Sequence, residues 1–281
     1  MAILTGLRSA VTRRLHPPHH AHTASADAPR CVDSAPPAMA AEQAEPVAPI
    51  DPLIALEQEF GVRCFGQEGE DMVLRRLFET PPVPDPGFYV DVGAHHPMRF
   101  SNTYLFYQLG WRGINIDAMP GSMAAFDRLR PRDINIELGI AESAGSLEYY
   151  MFNEPALNGF SRELSDQRDG FRIYRLLETR RIPVLPLRDV LDRHLPKGQT
   201  IDFLSIDVEG LDEVVIRSND WDRFRPRYLL VEALGGDTLA GTLDSETATF
   251  LATQGYQPRC RTASTLFFQD ERRSGVDAPH A

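Results

Sequence analysis

Four acids stand at or near the ends of apolar runs in this chain. Asp91 lies in Phe88-Tyr89-Val90-Asp91-Val92-Gly93, Asp117 follows Ile114-Asn115-Ile116, Asp207 follows Phe203-Leu204-Ser205-Ile206, and Glu232 follows Leu229-Leu230-Val231. Each run is rich in β-formers and nearly unbroken, the pattern of a strand covered on both faces of a parallel sheet. Open α/β sheets bind ligands just beyond the carboxyl ends of such strands. One such acid alone reads more readily as a helix cap or a surface ion pair; four at one rim make a candidate binding site. Asp117, 26 residues after Asp91 (117 − 91), stands where Rossmann-type sheets grip a ribose diol. His95 and His96, in the turn after the first strand, join Asp207 and Glu209 as candidate bases for the proton of a hydroxyl group.

The turn itself narrows the ligand. Gly93 permits either a φ > 0 turn or close approach of a backbone or ligand, but Ala94, His95, His96 and Pro97 follow it where a dinucleotide-binding turn carries further glycines. That weighs against a nicotinamide-dependent oxidoreductase, the competing reading of a Rossmann-like sheet; a non-catalytic nucleoside- or partner-binding domain is the third. A cofactor with a ribose diol, an adenine and a positively charged end suits an acidic rim, and S-adenosylmethionine has all three. Asp207-x-Glu209 offers oxygen ligands to a divalent cation, but without a clear third ligand it falls short of a metal site, and no metal is expected.

The elements that must position these groups alternate between strand and helix. Helices are expected over Leu53–Phe60 and Glu70–Phe78, with the prolines at 81, 82, 84 and 86 forming an extended connector. After the Gly93 turn come a helix over Asn102–Leu109 capped by Ser101, a strand over Trp111–Asp117, a helix from Pro120 to Leu129 and a strand over Asp133–Leu138. Ser146–Phe152 reads as an extra strand, and residues 153–181 as a polar, irregular insertion or lid over the strand ends. Phe152, Phe160, Phe171 and Tyr174 either line an acceptor pocket there or pack the insertion onto the core. An extended piece over Ile182–Leu187, a helix over Arg188–Leu195, a strand ending at Asp207, a helix over Asp212–Arg217, a strand over Arg227–Glu232 and a helix over Ser245–Gln254 follow. Strands over Tyr256–Cys260 and Thr265–Phe268 close the sheet as a hairpin.

Composition sets the bounds. The chain has 281 residues and a net charge of −11. Residues 1–50 hold as many arginines as acids, so the excess sits on the body, which argues against nucleic acid as a partner. Cys31, Cys64 and Cys260 show neither zinc-type spacing nor a disulfide framework, consistent with a reducing, cytoplasmic setting. No apolar run reaches the ~20 residues that span a bilayer. Residues 1–50 are Ala- and Pro-rich and read as a disordered tail, with His16, His19, His20 and His22 clustered in it. An amphipathic pattern at Ile3, Leu4, Leu7, Val11 and Leu15, with Arg8, Arg13 and Arg14, is either a transient helix or a weak membrane-surface or transit-like segment. The expected organisation is this tail, a helical extension over 51–86, one α/β domain over 87–270 and a loose end over 271–281.

Taken in order, Gln67-x-Gly69-Glu70-Asp71, Phe88-Tyr89-Val90-Asp91-Val92-Gly93-Ala94, Ser101-Asn102-Thr103-Tyr104, Gly110-Trp111-x-Gly113, Ile116-Asp117 and Ile206-Asp207-Val208-Glu209-Gly210 resemble the FkbM-type methyltransferase family. The resemblance spans about residues 65–235. It implies a Rossmann-like class I methyltransferase fold: a mostly parallel sheet with an antiparallel C-terminal hairpin and helices on both faces. It implies methyl transfer from S-adenosylmethionine to an oxygen of a sugar, polyketide or other small hydroxyl acceptor. It also implies that Asp91, Gly93 and Ala94 line the methionine end of the cofactor, that Asp117 binds the ribose, and that Gly139 and Ile140 lie against the adenine, with Asp207 close to the methyl group.

Overall fold

The computed structural model describes residues 60–78, 86–233 and 238–274. The expected tail, most of the helix at 53–60, the proline connector up to 85 and the last residues lie outside them. From Arg63 onward the chain forms one unit, and its elements follow in order. Glu70–Phe78 is α1, Phe88–Val92 β1, Tyr104–Gln108 α2, Arg112–Asp117 β2, Met123–Leu129 α3 and Ile134–Glu137 β3. Gly139–Ile140 (β4), Gly145–Phe152 (β5), Arg162–Arg168 (α4) and Leu176–Leu185 (β6) make up a small side layer. Leu187–His194 (α5), Phe203–Ile206 (β7), Asp212–Arg217 (α6) and Tyr228–Glu232 (β8) return to the main sheet. Leu239–Leu243 (α7), Glu246–Thr253 (α8), Tyr256–Arg261 (β9), Thr265–Asp270 (β10) and Glu271–Ser274 (α9) complete the chain.

The main sheet has seven strands in the order β3-β2-β1-β7-β8-β10-β9. All neighbours pair parallel except β10, which runs antiparallel to both β8 and β9. This is the expected α/β architecture with its terminal hairpin. β4, β6 and β5 form a separate three-stranded sheet. Among the described residues no helix is long and apolar enough to cross a membrane.

Side chains of a strand alternate between faces, and β1 uses both. Phe88, Val90 and Val92 pack with Leu187 and Val190 of α5, Val215 and Ile216 of α6 and Leu251 of α8. Tyr89 points the other way, among Leu74 and Phe78 of α1, Phe106 of α2 and Trp111. The aromatic rings there meet edge-on or tilted, as Phe78 and Trp111 do at 5.1 Å, the arrangement that ring quadrupoles favour. Asp91 shares the Tyr89 face, which explains how a carboxylate survives inside the sheet.

Arg130 is the reason. It follows the last turn of α3 and its side chain is fully buried, as is that of Asp133, which it meets at 2.8 Å. The guanidinium also donates to the Tyr89 hydroxyl at 2.8 Å and to Thr103 Oγ1 at 2.9 Å. Thr103 Oγ1 in turn donates to Asp91 Oδ2 at 2.9 Å. Asp133 accepts from Tyr89, from the Gly113 backbone and from Asn115. One buried cation therefore links α3, β1, β2 and the approach to α2.

Several element ends differ from the sequence reading, each for a local reason. The helix placed from Asn102 begins at Tyr104 because Ser101 and Thr103 spend their hydroxyls on the Arg130 network; Ser101 Oγ still accepts the Tyr104 N–H. The helix placed from Pro120 begins at Met123, since Gly121 takes a φ of +82° and gives its N–H to Glu137. The segment over 153–181 is not irregular throughout: it holds α4 and the first half of the ten-residue β6. α7 was not foreseen, and Glu271–Ser274 is helical where a loose end was expected, with Arg273 bonded to the carbonyls of Ile201 and Arg225.

Removing one partner of a buried, hydrogen-bonded ion pair leaves an uncompensated charge, which costs about 3–5 kcal/mol. Arg130→Met and Asp133→Asn are each expected to lose that much stability in urea titration. Arg130→Met combined with Asp133→Leu should lose much less than the sum.

Candidate active site

The site is built at the carboxyl ends of β1, β2, β7 and β8. Past β1 the chain turns at Gly93, whose N–H and that of Ala94 donate to the Ile116 carbonyl of β2 at 2.9 and 3.1 Å. Gly93 has a φ of +84°, and a Cβ there would stand 1.7 Å from the Asp207 carbonyl oxygen. Of the alternatives open in the sequence, both the left-handed turn and the close backbone approach are realised. The Asp207 N–H returns a bond to the Val92 carbonyl at 3.0 Å, so the turns after β1 and β7 are seamed together.

Asp117 ends β2 and is buried. Its two oxygens accept the N–H groups of His95 and Met119, both at 2.8 Å. Burial pushes its pKa above the usual carboxylate range, against the pull of those two bonds. His95 reaches this position with a φ of 52°, a strained value for a side-chain-bearing residue. Its Nε2 is buried and makes no hydrogen bond, and its ring stacks on Phe100 at 6.3 Å. Burial, with the charges of Arg99 and His96, lowers its pKa to about 4, so it is neutral near pH 7. His96 differs: its Nδ1 accepts the backbone N–H groups of Met98 and Arg99 at 3.0 and 2.9 Å. It shapes the turn.

Four more carboxylates gather beyond β7 and β8. Asp207 is open to solvent on one side yet hemmed in by protein on the others. That confinement and the charges of Glu209, Asp212, Asp91 and Glu70 raise its pKa well above the ordinary range. Glu209 has a φ of 56° and pairs with Arg168 of α4 at 2.5 Å; burial outweighs this cation and lifts its pKa as well. Asp212 accepts from the Val208 and Gly210 backbones at 3.3 and 3.2 Å, and burial carries it to about 7. Glu232 has an Oε2 that is buried and without a hydrogen-bond partner; its pKa lies well above the usual range through burial and the charges of Asp207, Glu209 and Asp212. Asp91 is held near 6 by burial, which outweighs the nearby Arg130 and the Thr103 bond. Among the described residues, no group of three or more His, Cys, Asp or Glu is arranged to hold a metal ion.

The small sheet walls the Asp117 side. Ala118, Tyr149 and Ile182 pack together with Met119, Met151 and Phe160, and a Cβ on Gly139 would meet the Phe160 ring at 2.5 Å. Gly139 and Ile140, read as adenine neighbours, form β4 against β6 and are buried. The insertion is tied down twice, by Arg168–Glu209 and by an exposed Arg99–Glu154 pair at 2.9 Å. The rim thus brings together Asp207, Glu209, Asp212 and Glu232 on one side, and Asp117 with His95 on the other. Phe160, one of the aromatics expected to line a pocket or pack the insertion, packs on Tyr149 at 4.8 Å between ring centroids; Arg130, Arg168 and Tyr149 had no signal beyond residue type.

An acid whose pKa is higher folded than unfolded costs stability once pH passes the unfolded value, and costs nothing below both. With Asp91 at about 6 and Asp212 at about 7, the penalty builds between roughly pH 4 and pH 7. Calorimetric melts should therefore give a higher Tm near pH 5.5 than at pH 8, and equal values would contradict the clustering.

The family model for the methyltransferase FkbM domain matches residues 91–258, more than half of the chain. The match takes in Asp91, the whole rim and the small sheet. No curated protein matches the chain. The seven-stranded, mostly parallel sheet with its antiparallel end is the class I methyltransferase architecture, and such enzymes generally use S-adenosylmethionine. By the family match, this chain belongs to the FkbM methyltransferases.

Proposed function

We propose that this protein transfers a methyl group from S-adenosylmethionine to a hydroxyl oxygen of a sugar or other small metabolite. The observation that carries this reading is the His95–Asp117 turn. One residue uses its backbone N–H to hold the acid at the end of β2, and presents an unpartnered, neutral imidazole nitrogen beside it.

The residues present fit the cofactor. Each Asp117 oxygen accepts one backbone N–H and keeps lone-pair capacity for a ribose diol. The Ala118, Met119, Tyr149 and Phe160 wall offers an apolar surface to an adenine. The negative field of Asp91 and Asp207 suits a cationic end. When bound, S-adenosylmethionine supplies an electrophilic methyl group on a sulfonium.

The chain's own work is alignment and proton transfer. Ordering two reactants in line removes several kcal/mol of barrier. In the displacement the new O–CH₃ bond forms as the S–CH₃ bond breaks, and the acceptor proton must leave. Of the four candidate bases, Glu209 is neutralised by Arg168 and His96 is occupied by two backbone N–H groups, which favours structural roles for both. Asp207 is the better proton acceptor of the remaining two, because it is open to solvent on one side and can pass the proton on, whereas burial disfavours a charged His95. His95, neutral near pH 7, offers its free Nε2 as a hydrogen-bond partner to the acceptor hydroxyl and orients it.

Isothermal titration with S-adenosylmethionine should show binding by the 281-residue chain. Affinity should fall in Asp117→Ala protein with unchanged circular dichroism, and in Phe160→Ala, which leaves the turn intact. No binding by the unsubstituted protein would sink the reading.

A further inference from the structure

Glu232 ends β8, and the parallel pairing of Ile206 with Val231 places it beside Asp207 at the end of the neighbouring strand, ~4.8 Å across the sheet. On its other side lies Thr265 of β10. Its Oε2 is enclosed yet makes no hydrogen bond. A buried polar atom left without a partner costs about 1–3 kcal/mol, so the atom is suited to a partner that folding does not provide. The charged groups that act on it are Asp207, Glu209 and Asp212, which repel a negative charge there, and Arg168, which is already paired with Glu209.

We propose that Glu232 binds the methyl acceptor, through the free Oε2, by hydrogen-bonding a hydroxyl next to the one that is methylated. The inference rests on the methyltransferase reading of the rim and adds the residue that holds an uncharged polyol acceptor, such as a sugar ring, beside its reacting hydroxyl. Burial and three surrounding carboxylates favour the neutral form of Glu232, whereas Asp207 stands open to solvent on one side. A neutral carboxyl both donates and accepts, which matches a hydroxyl. Asp207 then takes the proton of one acceptor hydroxyl while Glu232 holds its neighbour. An amine-bearing acceptor would instead call for an ionised Glu232 facing a cation.

The test uses the 281-residue chain with E232Q and E232A. Infrared spectra near neutral pH should contain the C=O stretch of a protonated carboxylic acid that disappears in E232Q. Calorimetry with S-adenosylhomocysteine should show binding by all three proteins, because the cofactor is gripped at Asp117. In methyl transfer to a panel of methyl glycosides, E232A should raise KM about ten- to a hundredfold, the loss of one buried hydrogen bond. E232Q, whose amide still donates, should recover most of that loss. Loss of S-adenosylhomocysteine binding in either variant assigns Glu232 to the cofactor and overturns the proposal. So does an absent infrared band, or a preference for amino sugars lost equally in E232Q and E232A. A wild type that binds S-adenosylhomocysteine but methylates no glycoside overturns the acceptor class. Failure of the wild type to bind it overturns the methyltransferase reading beneath, and calorimetry distinguishes that case from the others.

Discussion

A guanidinium with no access to water sits under the candidate active site, and much of the site's position follows from that fact. Arg130 is bearable in the interior only because Asp133, Tyr89 and Thr103 all bond it. Those partners come from β1, from the segment before α2 and from the loop between α3 and β3. Satisfying one ion therefore fixes three pieces of chain relative to each other. Asp91 profits from it: the same Thr103 hydroxyl that receives Arg130 donates to this carboxylate. A buried ion pair is weak support for stability in itself, and here its contribution is better described as geometric specification of the strand ends.

The opposite arrangement prevails a few residues away. Glu209, Asp212 and Glu232 are crowded beside the more open Asp207 where burial works against ionisation, with Arg168 the cation paired to one of them. Backbone strain is found at both turns, in the left-handed conformations of His95 and Glu209. Perturbed acids and strained non-glycine residues at one rim are what a functional site displays when its needs conflict with those of the fold. The two halves of the rim differ in this sense: one rests on a buried, paired cation, the other on acids crowded together.

The strands were legible because buried parallel strands leave unbroken apolar runs, and the terminal acids stood out against them. α1 and α6 were legible in full, each opening on acids and ending in basic or apolar residues that suit the helix dipole. What could not be read was partnership. Arg130 in Arg128-Leu129-Arg130-Pro131-Arg132 looks like surface charge, and nothing in one dimension reveals that it is the buried one. Asp91 looked free for a cofactor, yet it has a protein partner 12 residues on. The part of β6 before Ile182 escaped notice because Glu178, Thr179, Arg180 and Arg181 are exposed along it, so neither face gave an apolar signal there. His95 and His96 were indistinguishable by type, and only the local backbone separates a turn-forming ring from an unpartnered one.

The Arg168–Glu209 pair joins two things usually discussed apart. Arg168 belongs to the inserted segment, outside the seven-stranded sheet. Glu209 belongs to the acid group whose mutual repulsion sets how readily Asp207 and Glu232 hold protons. Any change in the insertion that moved or removed this arginine would alter the shape above the strand ends and the acidity beneath them in one step. One arginine thus couples the shape of the inserted segment to the acidity of the strand ends.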